Sequence, residues 1–146
     1  MIYSPSFEYA LHALIYLAGQ NNAGPVQVKE IAQAENIPKY FLAKILNYLD
    51  HKDLVESVKG PGGGFRLSRP ANRIRVSEVI DVFEGLNHLD GICILGLDKC
   101  QEENSCALHK EWKKFRQTLK KRVKQLTIAN LWKMREAKRS SKSSKF

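Results

Sequence analysis

Residues 59–64 read Lys-Gly-Pro-Gly-Gly-Gly, with four glycines and one proline in six positions. No helix or strand runs through such a stretch, so the chain must turn there. The flanking residues fix the kind of turn. Leu54-Val55-Glu56-Ser57-Val58 reads as a strand, and Phe65-Arg66-Leu67-Ser68 alternates as a returning one. The pattern predicts a β-hairpin with an almost side-chain-free tip. Lys59, Arg66 and Arg69 flank that tip. A tip without side chains lets backbone N–H groups approach phosphates closely. The run lacks the GxxxxGK[ST] pattern and does not open a helix, so it is no nucleotide-binding loop.

The segments before the hairpin have helical periodicity. Ser4-Pro5 combines a capping residue with a proline at the first helical position. Phe7, Ala10, Leu11, Leu14, Leu17 and Ala18 then form one apolar stripe, with Glu8 and His12 on another side. A short helix follows at 28–34, Glu35-Asn36 makes a turn, and Pro38 starts a helix that runs to about residue 52. Leu42, Ile45, Leu46 and Leu49 of that helix face inward, leaving Lys39, Tyr40, Ala43, Lys44 and Asn47 outside. Two helices joined by a tight turn match a helix-turn-helix, whose second helix presents small, aromatic, amide and cationic groups to a major groove. Ordinary packed helices with a solvated face share the same pattern. The hairpin directly after them makes the order that of a winged helix. The fold expected is mainly α with a small β wing. It divides into a winged helix-turn-helix domain over 1–85 (helix-turn-helix 28–52, wing 54–69), a cysteine-containing loop over 86–106, a helix over 107–137 and a disordered basic tail over 138–146.

All three cysteines of the chain, Cys93, Cys100 and Cys106, fall in one window that ends at His109. The window has no CxxC knuckle of the kind a structural zinc site uses. Three thiolates on a loop can wrap an iron–sulfur cluster with a fourth ligand from elsewhere. Free cysteines in a mobile loop beside a surface histidine are the alternative. Asn104 and Ser105 are good helix caps, which would put Cys106 in a first helical turn and on one face with His109.

Beyond the loop, Leu108, Trp112, Phe115, Leu119, Val123 and Leu126 recur at spacings of three and four. They predict one long helix from about residue 106 to 133, with a narrow apolar seam on a cationic rod. A rod that long cannot bury its seam against one small domain, so a homodimer is expected. The net charge is +9; residues 107–146 hold 14 Lys and Arg against 2 Glu, a net +12, which leaves the first 106 residues at −3. The basic excess therefore does not locate a DNA-reading surface. No signal segment or membrane span is read, and clustered cysteines suit a reducing cytoplasmic setting. No nucleophile–base pair argues for an enzyme.

These residues together resemble the Rrf-type family of bacterial winged-helix transcriptional regulators, in the iron–sulfur branch that includes IscR, NsrR and RirA. The wing segment 58–67 resembles the family's signature, residues 37–46 resemble the start of its recognition helix, and the match runs from Tyr9-Ala10 through the long helix. The resemblance implies a regulator, a repressor in the simplest form, that binds a pseudo-palindromic double-stranded DNA operator as a homodimer. Its DNA contacts would come from Lys29, Pro38, Lys39, Tyr40, Lys44 and Asn47, and from Lys59, Gly60, Pro61, Gly62, Gly63, Gly64 and Arg66 of the wing. It implies a two-iron or four-iron cluster on Cys93, Cys100 and Cys106. His109, Glu8 and His12 each match a fourth ligand used in some branch, with His109 favoured here. Ala43 stands where some members carry an acidic residue. Six residues separate Cys93 from Cys100 where many members have five or seven. A regulator without a cluster, sensing through thiol oxidation or a small molecule, is the competing expectation. A basic RNA-associated protein is a more distant one.

Overall fold

The computed structural model describes residues 3–20 and 23–143. Six helices and one hairpin follow in order: α1 (Pro5–Gly19), α2 (Val28–Glu35), α3 (Lys39–His51), β1 (Val55–Val58), β2 (Gly64–Leu67), α4 (Val76–Phe83), α5 (His109–Gln125) and α6 (Ile128–Ser143). The Ser4 hydroxyl caps α1 by accepting from the Phe7 N–H at 3.3 Å, with Pro5 behind it in the first turn. Asn36 ends α2 in the left-handed region, at φ 54°, which reverses the chain sharply enough for α3 to pack across α2.

One core joins these elements. Leu14 of α1, Ile31 of α2, Leu42, Leu46 and Leu49 of α3, Val55 of β1, Val79 of α4 and Ile128 of α6 are almost completely enclosed. Each such side chain contributes roughly 1.5–3 kcal/mol by leaving water. The hairpin is antiparallel, with Val55 opposite Leu67 and Val58 opposite Gly64. Val26 adds a short third edge by exchanging two backbone hydrogen bonds of 2.8 Å with Phe65. The wing is thereby tied to the segment between α1 and α2.

The long helix expected over 106–133 is two helices. The chain leaves helical geometry at Leu126 and Thr127 and re-enters it at Ile128. Two observations explain the break. Residues 126–128 pair with 74–76 like short strands: the Val76 N–H donates to the Leu126 carbonyl and the Ile128 N–H to the Ile74 carbonyl, both at 2.9 Å. Thr127 and Asn130 then cap α6 reciprocally, the Asn130 N–H donating to Thr127 Oγ1 at 3.2 Å and the Thr127 N–H to Asn130 Oδ1 at 2.9 Å. After the break α6 turns back across α1. Arg135 makes two hydrogen bonds, of 2.5 and 2.7 Å, to the enclosed carboxylate of Glu35 at the end of α2. The basic tail expected to be disordered from residue 138 is helical through Ser143, because Ala137, Lys138, Arg139 and Lys142 continue α6 without a breaker; residues 144–146 lie outside the described ones.

Candidate functional site

Two sets of groups stand out on this scaffold. The first is the outer face of α3 with the wing beside it. Lys29, Pro38, Lys39, Tyr40, Lys44 and Asn47 are all exposed. Tyr40 is 73% accessible, which is unusual for so large an apolar ring with nothing to cover it. Lys44 lies over that ring, with its Nζ 4.5 Å from the centroid. An aromatic face and a cation are thus held together at the start of α3, the end that enters a major groove in a helix-turn-helix. The wing tip supplies what a backbone contact needs. Gly60 and Gly62 have φ of 89° and 74°, conformations that side-chain-bearing residues rarely adopt, and open space surrounds both. Lys59 and Pro61 are exposed beside them. Arg66 is less free than its position in the strand suggests: its guanidinium donates to Glu56 across the hairpin at 3.2 and 3.3 Å. Arg69 is turned away from the tip, bonded to Glu78 and to the Arg73 and Asp53 carbonyls.

The second set is the cysteine loop. The helix that was to hold Cys106 in its first turn starts at His109 instead. Asn104 adopts φ 57° and interrupts the run, and Cys106 is the turn residue whose carbonyl accepts from the His109 N–H at 3.1 Å. Cys106 and His109 therefore do not share a helical face. His109 faces Cys100, with Nδ1 3.3 Å from Sγ. The ring is buried, and its Nε2 has no hydrogen-bond partner; the Glu102 carboxylate lies 3.6 Å off. Cys93 and Cys106 form the other pair, the Cys106 thiol donating to Cys93. The backbone N–H of Leu95 holds the Cys93 thiol below its ordinary pKa; burial opposes this, and the N–H groups of Leu97 and Gly96 and the Cys106 thiol assist it. The loop thus stabilises a thiolate at one cysteine and places an imidazole at another.

The remaining candidates are elsewhere. Glu8 is exposed on α1. His12 is occupied by the α2–α6 contact, its Nδ1 lying 3.4 Å from Glu35 and 3.3 Å from Arg135. Among the described residues no three His, Cys, Asp or Glu side chains converge as a single metal-holding group. The donors are present as two pairs. Their chemistry fits an iron–sulfur cluster, since thiolates are its principal ligands and imidazole an accepted replacement, and the buried His109 Nε2 makes no hydrogen bond, with only the Glu102 carboxylate near it at 3.6 Å.

One side chain of this site escapes sequence reading. Arg116 is buried on the same face of α5 and donates to Cys100 Sγ at 3.3 Å and to the Leu89 and Asp90 carbonyls at 3.2 and 3.0 Å. In a helix with so many cations it has no distinguishing signal. Its spacing of seven from His109, two turns along one face, is the only hint.

A family profile described as Rrf2, iron-dependent transcriptional regulator, matches residues 3–134. The chain belongs to the Rrf2 family. It is a transcriptional regulator, then, and not an enzyme. An HTH-type regulator of Aquifex aeolicus is 38% identical over 133 residues, covering 90% of this chain and 91% of the relative. IscR of Escherichia coli is 31% identical over 123 residues, covering 84% and 75%. Among solved structures the chain resembles CymR, the global cysteine regulator of B. subtilis, with a TM-score of 0.75 at 26% identity over 90% and 95% of the two chains. It also resembles T. potens IscR, with a TM-score of 0.68 at 25% identity over 89% and 85%. The winged-helix expectation holds for this Rrf2 protein. No helix among the described residues is long and apolar enough to cross a membrane.

Proposed function

We propose that this Rrf2 protein is a cytoplasmic, homodimeric DNA-binding repressor that reports iron, redox or nitric oxide status through an iron–sulfur cluster. Cys93, Cys100 and Cys106 would hold the cluster, with His109 as the fourth ligand. The observation that carries the reading is the 3.3 Å approach of the buried His109 ring to Cys100, in the loop that contains every cysteine of the chain. The kinship with IscR adds to it.

On DNA, Lys39, Tyr40, Lys44 and Asn47 would enter the major groove of each half of a pseudo-palindromic operator, and the wing from Lys59 to Gly64, with Arg66, would follow the adjacent backbone. When bound, the cluster supplies a centre that oxidants, nitric oxide or iron scarcity alter. The chain supplies the connection. The Trp112 indole N–H donates to the Ile92 carbonyl at 2.8 Å, so the start of the loop is fixed to α5. The Arg75 guanidinium donates to the Lys124 carbonyl at 2.6 Å, so the far end of α5 is fixed to the segment that follows the wing. A loop that changes shape thereby acts on both the α5 seam and the reading head, which is the differential interaction a switch requires.

The deciding measurement is the visible absorption of protein purified without oxygen, with iron and acid-labile sulfide assays. A brown protein with both is expected, bleached by Cys106→Ala, and its band shape distinguishes two irons from four. Colourless protein that resists reconstitution sinks the cluster and leaves the DNA-binding reading standing. A second reading, a thiol switch, draws on the Cys93–Cys106 pair. It predicts colourless protein whose operator binding follows formation of a Cys93–Cys106 disulfide.

A further inference from the structure

Arg116 is a buried cation without a counter-charge. It is 8% accessible and forms no ion pair among the described residues. Its three described acceptors are the Leu89 and Asp90 carbonyls and Cys100 Sγ. The carboxylate of Asp90, whose carbonyl Arg116 already bonds, is held by Lys120 at 2.6 Å. Nε of Arg116 and Nε2 of His109 are the two enclosed polar side-chain atoms left without hydrogen bonds among the described residues, and both belong to side chains that touch Cys100. Enclosing a guanidinium against two neutral carbonyls and a neutral thiol is unfavourable, because the ion forfeits its hydration. The arrangement becomes favourable once the sulfur carries negative charge.

We propose that Arg116 is a positioning residue of the sensor: a fixed N–H donor and counter-cation to Cys100 Sγ that raises the reduction potential of the cluster ligated there. The inference rests on the cluster reading above. Its direction follows from charge. Reduction adds an electron to an already anionic group, and a cation with an N–H···S hydrogen bond stabilises the more negative state more strongly. The geometry keeps the donor in place. Trp112 lies one turn before Arg116, and the guanidinium carbon sits 5.7 Å from its ring centroid while the indole clamps Ile92. The donor is therefore held by the wall of the loop it serves.

The test is the midpoint potential of the anaerobically reconstituted full-length protein, compared with Arg116→Met and Arg116→Lys. The methionine variant keeps the bulk and removes the charge. Its cluster is expected to become roughly tenfold harder to reduce, a fall of about 60 mV for one electron; the lysine variant is expected to recover part of that fall. A loaded methionine variant with the wild-type potential overturns the role of Arg116 while leaving the cluster intact. A wild-type protein that never takes up iron and sulfide overturns both. If the methionine variant melts as the wild type does but loads no cluster, loading restored by lysine supports the counter-cation, and loading lost in both variants overturns it.

Discussion

A methyl group at Gly63 would lie 2.2 Å from the Val58 carbonyl oxygen and 2.8 Å from that of Gly60, both backbone atoms that cannot swing aside. Its neighbours Gly60 and Gly62 have open space and only a φ requirement. The glycines of the tip are thus needed for two different reasons, and they should fail differently. Gly63→Ala is expected to displace the hairpin turn and weaken operator binding far more than Gly62→Ala, whose strain of about 1 kcal/mol stays local. Gly63→Glu adds a carboxylate facing phosphate and is expected to abolish binding. Gel-shift titration on fragments selected from genomic DNA, beside sedimentation to confirm an intact oligomer, checks all three. Normal affinity in Gly63→Glu would remove the wing from the interface.

Among the elements, α6 depends on the local cap that Thr127 and Asn130 form at its start. Thr127→Ala removes the hydroxyl that accepts from the Asn130 N–H and is expected to cost about 1 kcal/mol, read as a lowered midpoint in urea. α1 is held at its start by Glu84, whose carboxylate accepts from the Ser4 N–H at 2.7 Å. Burial raises the Glu84 pKa, but the bonds from Ser4 and the nearby His88 outweigh it, and the net shift is downward. A lowered folded-state pKa means that the contribution is complete above the ordinary glutamate range and is lost as pH falls through and below it. Glu84→Gln is expected to flatten that part of the acid limb in thermal melts; an unchanged limb would contradict the assignment. The hairpin and α3 are legible in the sequence because glycine, proline and apolar periodicity act locally. The α5–α6 break is not, because Leu126 and Ile128 keep the apolar pattern while their strand-like pairing partners lie some fifty residues earlier. The site divides in the same way. Its four donors stand out by type and clustering, but the pairing of His109 with Cys100 rather than Cys106 depends on the path of a loop turned at Asn104.

At the scale of the whole molecule, much apolar surface is left on one limb. Ile92, Ile94, Leu95 and Leu97 of the cysteine loop and Leu108 and Phe115 at the start of α5 are each 42–64% accessible. A second copy of the chain is the expected cover, which would place the cysteine loops beside the dimer seam. Phe115→Asp is expected to give monomers in analytical ultracentrifugation and to reduce operator affinity steeply at low protein concentration. A variant that stays dimeric would move the seam elsewhere. The chain also has just two tryptophans, and each sits at a joint of this architecture. Trp112 clamps the cysteine loop to α5, and Trp132 lies on Gly19, where even a Cβ would come within 2.6 Å of its indole nitrogen. The two joints are therefore optically labelled by the native sequence. Single Trp→Phe variants would separate their emission, so that undocking of the loop and lifting of α6 from α1 could be timed independently, without an added dye.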